Sequence, residues 1–215
     1  MFPQTPHPRR RCRQNPPVER IDGYAAIRDY ALVGDGRTAA LIARDGSVDW
    51  LCLPNIDSPS VFARILDAER GGSFRLEPGV PYETERRYQH HSNVLETTFK
   101  TAQGVVRVTD AMTLTDRSRL SPLRELCRKV EALSGTVPLR WALAPRFGYG
   151  LRRTSLDRRA GRWFAHAGTD CIALGLWNVD DPSASNGTIG GELKLHEGGS
   201  ALLELSASHK EPTMA

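Results

Sequence analysis

Five acidic residues are the candidates for acid–base chemistry in this sequence: Asp35, Asp49, Asp57, Glu96 and Asp110. Inverting hydrolysis of a glycosidic bond, for example, needs two carboxyl groups about 6.5–9.5 Å apart on opposite sides of the bond. Nothing in the spacing of these residues brings two of them together. Asp35 and Asp45 have the neighbours of turn residues, and Asp57 precedes Ser58-Pro59 at the entry to a loop. We therefore expect no catalytic residue within this chain.

The other reactive side chains give weaker signals. His90 and His91 are adjacent, so on a strand they point to opposite faces, and a loop pair is the simpler interpretation than a metal site. Ser58 and Ser60 lack an identifiable base and are explained as helix caps. The sequence contains neither a phosphate-binding loop nor a nucleophile elbow. We expect no metal and no cofactor.

Trp50 has two interpretations. Within VDWLC its indole could present an apolar face to a sugar ring, but its neighbours Val48, Leu51 and Leu53 favour a place in the core. Both interpretations stay open at this stage. The Pro-bounded loop that follows, Pro54 to Pro59, interrupts an otherwise regular pattern.

Short apolar runs separated by Asp-Gly pairs surround Trp50. RDYALV, TAALIA and VDWLCL are divided by Gly34–Arg37 and Arg44–Ser47. Asp-Gly between apolar runs favours a tight hairpin, because the turn requires positive φ angles that glycine adopts readily. We predict three strands in an antiparallel meander.

One segment has helical spacing. In SPSVFARILDAER, residues 58–70, a serine and Pro59 suit a helix start, and Val61, Phe62, Ile65 and Leu66 form an apolar stripe. Gly71-Gly72 would end this helix. We predict a short helix here.

Further hairpins are predicted around Gln103-Gly104, Ser134-Gly135 and Glu197–Gly199, and RWFAHA and DCIALGLW add two strands. About a dozen short strands at close spacing are typical of a large antiparallel sandwich. We predict an all-β fold, an antiparallel β-supersandwich with hairpin-rich topology and one or two short helices, over residues 21–206.

Composition indicates a folded protein, with 40% hydrophobic and 25% charged residues in 215. No run approaches the roughly 18 apolar residues of a membrane helix, so we expect no membrane partner. Three of the four cysteines lie in apolar runs, which predicts buried thiols and fits a reducing cytoplasm. We therefore expect a cytoplasmic protein.

Residues 1–20 contain five prolines, an arginine cluster and the whole net charge of +4. Such a segment is expected to be a disordered tail. It is either a basic arm for nucleic acid or acidic lipid, or a solvated leader (or a start codon assigned too far upstream). The charges of the remaining residues sum to zero, which argues against a nucleic-acid partner. Residues 207–215 are expected to be a C-terminal tail or a truncated linker.

Three stretches together resemble a known family: YALVGDGRTAALIARDGSVDWLCLPNIDSPSVFARILD, RRYQHHSNVLETTFKTAQGVVRVTDAMTL and LCRKVEALSGTVPLRWALAPRFGYG. From about Tyr24 to about Ser206 the chain is similar to the N-terminal domain of glycoside hydrolase family 15, the glucoamylase and trehalase-like family. The resemblance implies a β-supersandwich that precedes an (α/α)₆ catalytic barrel. It also implies inverting hydrolysis of α-glucosidic bonds by glutamates of that barrel, which have no counterpart here.

The resemblance makes this chain an accessory domain in carbohydrate metabolism, not an enzyme by itself. Its partners would be a catalytic barrel, in cis or in trans, and α-glucosides such as trehalose or malto-oligosaccharides. The substrate-proximal or barrel-docking residues would be Trp50, Pro54, Asn55, Asp57, Ser58, Pro59 and Phe62. A stand-alone carbohydrate-binding module is the alternative, and the sequence does not choose between a truncated product and a genuine short protein.

Overall fold

The structure is a computed structural model that describes residues 19–114 and 124–207. Within these ranges the chain forms a three-residue 3-10 helix, η1 at Ile27–Asp29, and fifteen strands. The strands are β1 Tyr30–Gly34, β2 Ala39–Ala43, β3 Val48–Cys52, β4 Ser60–Ala63, β5 Ser73–Pro78, β6 Tyr82–Tyr88, β7 Leu95–Thr101, β8 Gly104–Met112, β9 Arg124–Ala144, β10 Ser155–Arg159, β11 Arg162–Ala167, β12 Asp170–Trp177, β13 Ser183–Ser185, β14 Thr188–His196 and β15 Ser200–Ala207.

The strands form two antiparallel sheets that share the long strand β9. Sheet I contains β1 to β5, β13, β14 and the C-terminal half of β9. Sheet II contains β6 to β8, β10 to β12, β15 and the N-terminal half of β9. One buried cluster joins side chains of both sheets, such as Ile42 and Phe74 with Phe99 and Leu126. The predicted all-β antiparallel sandwich is confirmed.

The hairpins predicted at β1–β2, β2–β3 and β7–β8 are confirmed, and the two strands predicted in RWFAHA and DCIALGLW are β11 and β12, which pair with each other. In the first turn, Asp35 Oδ1 accepts hydrogen bonds from the backbone N–H groups of Arg37 at 2.8 Å and Thr38 at 2.9 Å. Gly36 and Gly46 have φ angles of 83° and 84°, the left-handed conformation that glycine tolerates best. Turn chemistry therefore fixes the meander that carries Trp50.

The hairpin predicted at Ser134-Gly135 is wrong, because the chain continues through it as the single strand β9. Gly135 has a φ of 64°, and a Cβ there would lie 2.2 Å from Gln103 O, so this glycine permits a close backbone approach rather than a turn. A bulge in the pairing with β8 changes which side chains point inward. The buried positions are 124, 126, 128, 130 and 132 before it, and 137, 139, 141 and 143 after it.

The hairpin predicted around Glu197–Gly199 is also wrong. β14 pairs with β9 from Ile189 to His196, and β15 pairs with β9 from Ser200 onward. The two strands thus lie end to end along one edge of β9. Strands β14 and β15 both pair with β9, because β9 is long enough to accept the two strands in succession. A hairpin prediction from local sequence cannot anticipate a partner so far away in the chain.

The helix predicted over residues 58–70 is wrong as well. Ser60–Ala63 form β4, in which all four residues are buried, and turns follow. Phe62 lies opposite Leu51 of β3 in the core, whereas Leu66, expected in the same apolar stripe, is 62% exposed. Pairing with β3 therefore overrides the local helical spacing.

A buried ion pair connects the two sheets. Arg128 of β9 and Asp110 of β8 are fully buried and lie opposite each other, with Nε to Oδ1 at 2.8 Å. The same guanidinium donates to Phe74 O of β5 at 2.9 Å and to Gly46 O, in the turn between β2 and β3, at 2.6 Å. One side chain thus satisfies a buried carboxylate and two backbone carbonyls across the core.

The predicted tail and linker lie mainly outside the described residues, as does Cys12. Arg20, placed in the tail by the sequence prediction, contacts Asp45 and Asp49 of the sandwich. Cys52 and Cys171 are buried and Cys127 is half-buried. In residues 19–114 and 124–207, no helix has the length and apolar character that crossing a membrane requires.

Candidate functional site

Trp50 belongs to a row of side chains on the outer face of sheet I. Leu32 pairs with Leu41, Leu41 with Trp50, and Trp50 with Ala63. Directly opposed residues on neighbouring strands point to the same face. We call these four residues the Trp50 row.

The row faces away from the core. Val33, Ile42 and Leu51, which adjoin it along the strands, are fully buried in the core. Leu32 is 50% exposed, Leu41 and Trp50 are half-buried, and Ala63 at the end of the row is buried at 1% exposure. Trp50 is therefore not a core residue, and its contact with a sugar stays a prediction.

Tyr149 extends this row. Its ring centroid lies 6.2 Å from that of Trp50 at an interplanar angle of 45°, and Tyr149 is 48% exposed. Its backbone N–H donates to Ser60 Oγ at 2.9 Å, and the N–H of Gly148 donates to Ser60 O at 2.9 Å. Ser60 thus holds the Tyr149 loop against β4 instead of capping a helix. The signal in the sequence was the aromatic FGYG segment after β9, and its distance from Trp50 along the chain concealed the contact.

The loop Pro54–Pro59 is fixed by its own backbone. Asn55 N donates to Ser58 Oγ at 3.2 Å, and Ser58 N donates to Asn55 O at 3.1 Å. Ile56 N donates to Arg37 O at 3.0 Å, which ties the loop to the β1–β2 turn. These bonds leave the Asp57 side chain exposed at the loop tip.

The residues predicted for this site divide into two groups. Pro54, Asn55 and Ser58 are half-buried, and Asp57 and Pro59 are exposed, so the loop residues lie at the surface. Phe62 is fully buried in the core and supports the site from beneath. The predicted docking role of these residues stays a prediction.

Asp49, one of the candidate acids, is bound in a polar network. A bulge between β2 and β3 makes Asp49 the extra residue, and it is fully buried. It accepts from Arg20 Nη1 at 2.8 Å, Tyr30 Oη at 2.7 Å and Ser47 Oγ at 2.5 Å. Burial, and the hydrogen bond that the Tyr30 hydroxyl donates to Asp49, raise the pKa of Tyr30 above its ordinary value. A carboxylate held by three donors stabilises the fold, and no pattern in the sequence indicates this arrangement.

Three of the other candidate acids, Asp35, Glu96 and Asp110, also have cationic partners. Arg124 Nε lies 3.5 Å from Asp35, and Arg128 binds Asp110. Glu96 accepts from Gln89 and Arg87, and these hydrogen bonds lower the pKa of its carboxyl group. Of the five candidates, only Asp57 is exposed. The four others are explained as parts of the fold.

The Tyr149 loop also borders a cleft of about 830 Å³. Its walls include Leu151, Arg152 and Trp163, and none of the described residues that line it has a carboxylate side chain. Arg146 in this wall donates to Gly187 O at 2.8 Å, so it holds the β13–β14 hairpin in place. A cleft without a carboxyl group cannot supply the acid and base of glycoside hydrolysis.

His90 and His91 lie in the exposed turn between β6 and β7, with ring centroids 3.8 Å apart. In the part of the chain that the structure describes, no group of three or more histidine, cysteine or acidic residues is placed to hold a metal ion.

Comparison with known proteins decides the family. The family model described as "Trehalase-like, N-terminal" matches residues 20–209. The chain belongs to this family. The matched range includes all fifteen strands, the Trp50 row and the Tyr149 loop.

Relatives of this trehalase-like N-terminal domain are named trehalases. The trehalase of Mycobacterium tuberculosis is 40% identical over 141 residues, which is 59% of this chain and 21% of the relative. The trehalase of Mycolicibacterium smegmatis is 42% identical over 142 residues, again 59% and 21%. The trehalase of Thermoplasma volcanium is 33% identical over 141 residues, 64% of this chain and 22% of the relative. The chain spans about a fifth of the length of these relatives.

Proposed function

We propose that this chain is the accessory N-terminal domain of an inverting α-glucosidic hydrolase of the trehalase type. In this proposal the domain packs on a catalytic (α/α)₆ barrel, in cis or in trans, and helps to shape the entrance for the substrate. The glutamates that cleave the bond belong to the barrel. Support comes from the membership of the family and from relatives named trehalases, of which this chain matches about a fifth.

The observation that carries the docking proposal is the outward direction of the Trp50 row. Contact between water and an apolar row on the surface of a sheet is unfavourable in free energy, and burial of the row against a partner removes this cost. Exposed apolar patches therefore commonly mark interaction sites. Tyr149, beside Trp50, adds a second aromatic side chain with a polar hydroxyl. Aromatic residues are enriched among the side chains that contribute most to protein interfaces.

The proposed role at the substrate entrance rests on the neighbouring loop. Asp57 and Pro59 are exposed at its tip, while the backbone bonds of Asn55, Ile56 and Ser58 fix its shape. A loop held in this way presents its tip to a partner with little loss of conformational entropy. Asp57 would then hydrogen-bond a loop of the barrel or a glucose hydroxyl, and Trp50 would support it from the sheet.

The test joins this chain to the remainder of the Mycobacterium tuberculosis trehalase, in place of the segment that it matches. Glucose release from trehalose measures activity, and thermal unfolding measures docking as a coupled transition. We expect the joined protein to hydrolyse trehalose and the 215-residue chain alone to release no glucose. Trp50→Ala should weaken docking by about 2 kcal/mol, the cost typical of a buried aromatic anchor.

Trp177→Ala is the matched control, because Trp177 is a tryptophan of sheet II that is 42% exposed and lies far from the row in the sheet order. Asp57→Ala tests the loop separately. If Trp50→Ala and Asp57→Ala leave the activity and the docking of an active joined protein unchanged, the proposed role of this surface is wrong.

A further inference from the structure

A second site candidate lies beside the β2–β3 turn, between β5 of sheet I and Tyr82 at the start of β6 in sheet II. It is a pocket of about 240 Å³ whose lining is polar throughout. Its principal groups are Arg20, Asp45, Arg64, Arg75, Glu77 and Tyr82, which we call the polar pocket. Pockets for drug-sized molecules typically begin at about 300 Å³, so this one suits a smaller ligand.

One wall of the polar pocket is held rigidly. Arg20 binds both oxygens of Asp45, with Nε to Oδ2 at 2.6 Å and Nη2 to Oδ1 at 3.1 Å. Its Nη1 donates to Asp49, so two carboxylates share one guanidinium. Although burial opposes the charge, these carboxylates raise the pKa of Arg20. The wall is therefore formed before any ligand enters, which reduces the entropic cost of binding.

Arg64 gives the clearest sign that the pocket lacks a component. Its Nε is buried and has no hydrogen-bond partner among residues 19–114 and 124–207. Burial lowers the pKa of Arg64, and the positive charges of Arg20 and Arg75 lower it further. A buried donor without an acceptor costs about 1–3 kcal/mol and calls for an explanation. An oxygen atom in the pocket, of a ligand or of water, would remove that cost.

The opposite charges in the lining limit what that oxygen can belong to. Burial raises the pKa of Glu77, and the negative charge of Asp45 raises it further. An anion bound by Arg64 and Arg75 would meet the same repulsion from these two carboxylates. An apolar ligand would leave every one of these polar groups without water.

A hydroxyl group can hydrogen-bond both the arginines and the carboxylates of the lining. It accepts a hydrogen bond from Arg64 or Arg75 and donates one to Glu77 or Asp45. The Tyr82 hydroxyl adds a group that does both, and the edge of its ring packs with Phe99, centroid to centroid at 5.1 Å. Adjacent hydroxyl groups on a ring match the paired atoms of a carboxylate or a guanidinium.

We propose that the polar pocket binds one neutral, hydroxyl-rich ring of hexose size. Arg64 and Arg75 donate to its oxygens, and Glu77 and Asp45 accept from its hydroxyl groups. This inference goes beyond docking on a catalytic barrel and does not depend on it, since none of the pocket residues belongs to the Trp50 row.

The test titrates the 215-residue chain with glucose, with trehalose and, separately, with inorganic phosphate, and follows backbone amide chemical shifts. For a ligand of this size we expect a dissociation constant on the order of 1 mM for a sugar. The shift changes should centre on residues 45–47, 64, 75–77 and 82. Glu77→Gln and Arg75→Gln should each weaken sugar binding by about tenfold or more, because each removes a hydrogen bond to a charged group.

Glu197→Gln, at an exposed position between β14 and β15 beside Gly135, is the control and should leave binding unchanged. Thermal unfolding of each variant establishes that the fold is intact. The inference is overturned if neither sugar shifts these amide signals at a concentration 50-fold above the expected dissociation constant, or if phosphate binds instead of the sugars. It is also overturned if both pocket variants bind sugar as the wild type does. Sugar binding is measured on the chain alone, so a failure of docking in the joined protein, tested with Trp50→Ala, would leave it unaffected. A failure of the docking proposal and a failure of the sugar-binding proposal can therefore be told apart.

Discussion

Replacing Arg128 with methionine should destabilise this domain severely. Arg128 and Asp110 are both fully buried, and the guanidinium also binds the carbonyl oxygens of Phe74 and Gly46. Methionine keeps most of the volume but leaves Asp110 as an uncompensated charge in the core. Breaking a buried pair in this way typically costs about 3–5 kcal/mol, a large part of the roughly 5–15 kcal/mol that stabilises a domain.

A double variant separates the parts of this cost. Arg128→Met with Asp110→Leu removes the unpaired charge but still leaves the carbonyls of Phe74 and Gly46 without their donor. Unsatisfied carbonyl groups cost about 1–3 kcal/mol each, so part of the stability should return and part should stay lost. Lys129→Met, which breaks a pair that is half exposed, is the control and should cost about 1 kcal/mol or less.

Urea unfolding followed by tryptophan fluorescence measures these free energies. For Arg128→Met, the unfolding temperature should also fall on the order of 10 °C. If Arg128→Met costs under 1 kcal/mol, or if the double variant is less stable than the single one, the buried pair does not connect the sheets as described.

Two further perturbations test the close backbone approach at Gly135 of β9 and a pair of carboxyl groups on sheet II. Gly135→Ala should destabilise the domain by several kcal/mol, because the added Cβ would lie 2.2 Å from Gln103 O. Gly161 has a similar φ and open space around it, so Gly161→Ala is the control and should cost about 1–2 kcal/mol in the same urea assay. Equal costs for the two variants would refute the close approach. Burial raises the pKa of Glu204, and the charge of Glu125 raises it further, so the folded state favours the neutral carboxyl group. The folded state therefore loses stability as the pH rises from the pKa that Glu204 has in the unfolded chain through its higher pKa in the folded chain. Glu204→Gln should therefore stabilise the chain at pH 8 and give little change at pH 4, and a gain confined to pH 4 would contradict this sign.

The local hairpins could be predicted because their cause is local. Asp35 and Gly36 form the β1–β2 turn from adjacent residues, and this needs no knowledge of the rest of the chain. The same reasoning failed at Ser134-Gly135, where the glycine serves a contact with residue 103 rather than a turn. A glycine in a sequence shows that the backbone is permissive, not which neighbour requires it.

The candidate site was predictable only in part. Trp50 and the Pro54–Pro59 loop were recognised from their types and from the resemblance to a family. The contact of Trp50 with Tyr149, and the burial of Asp49 by Arg20, join residues far apart in the chain. Such contacts depend on how the strands pair, and β4, taken for a helix from its apolar spacing, shows that pairing overrides local pattern.

Amide hydrogen exchange of the chain alone and of the chain joined to the remainder of the Mycobacterium tuberculosis trehalase tests the central claim most directly. Exchange slows where backbone amides open less often in the complex. The proposal predicts slower exchange in β1 and in the loops at residues 54–59 and 146–151, and unchanged exchange at β10–β12 of sheet II. Slower exchange confined to β10–β12, with the Trp50 row unaffected, would contradict it.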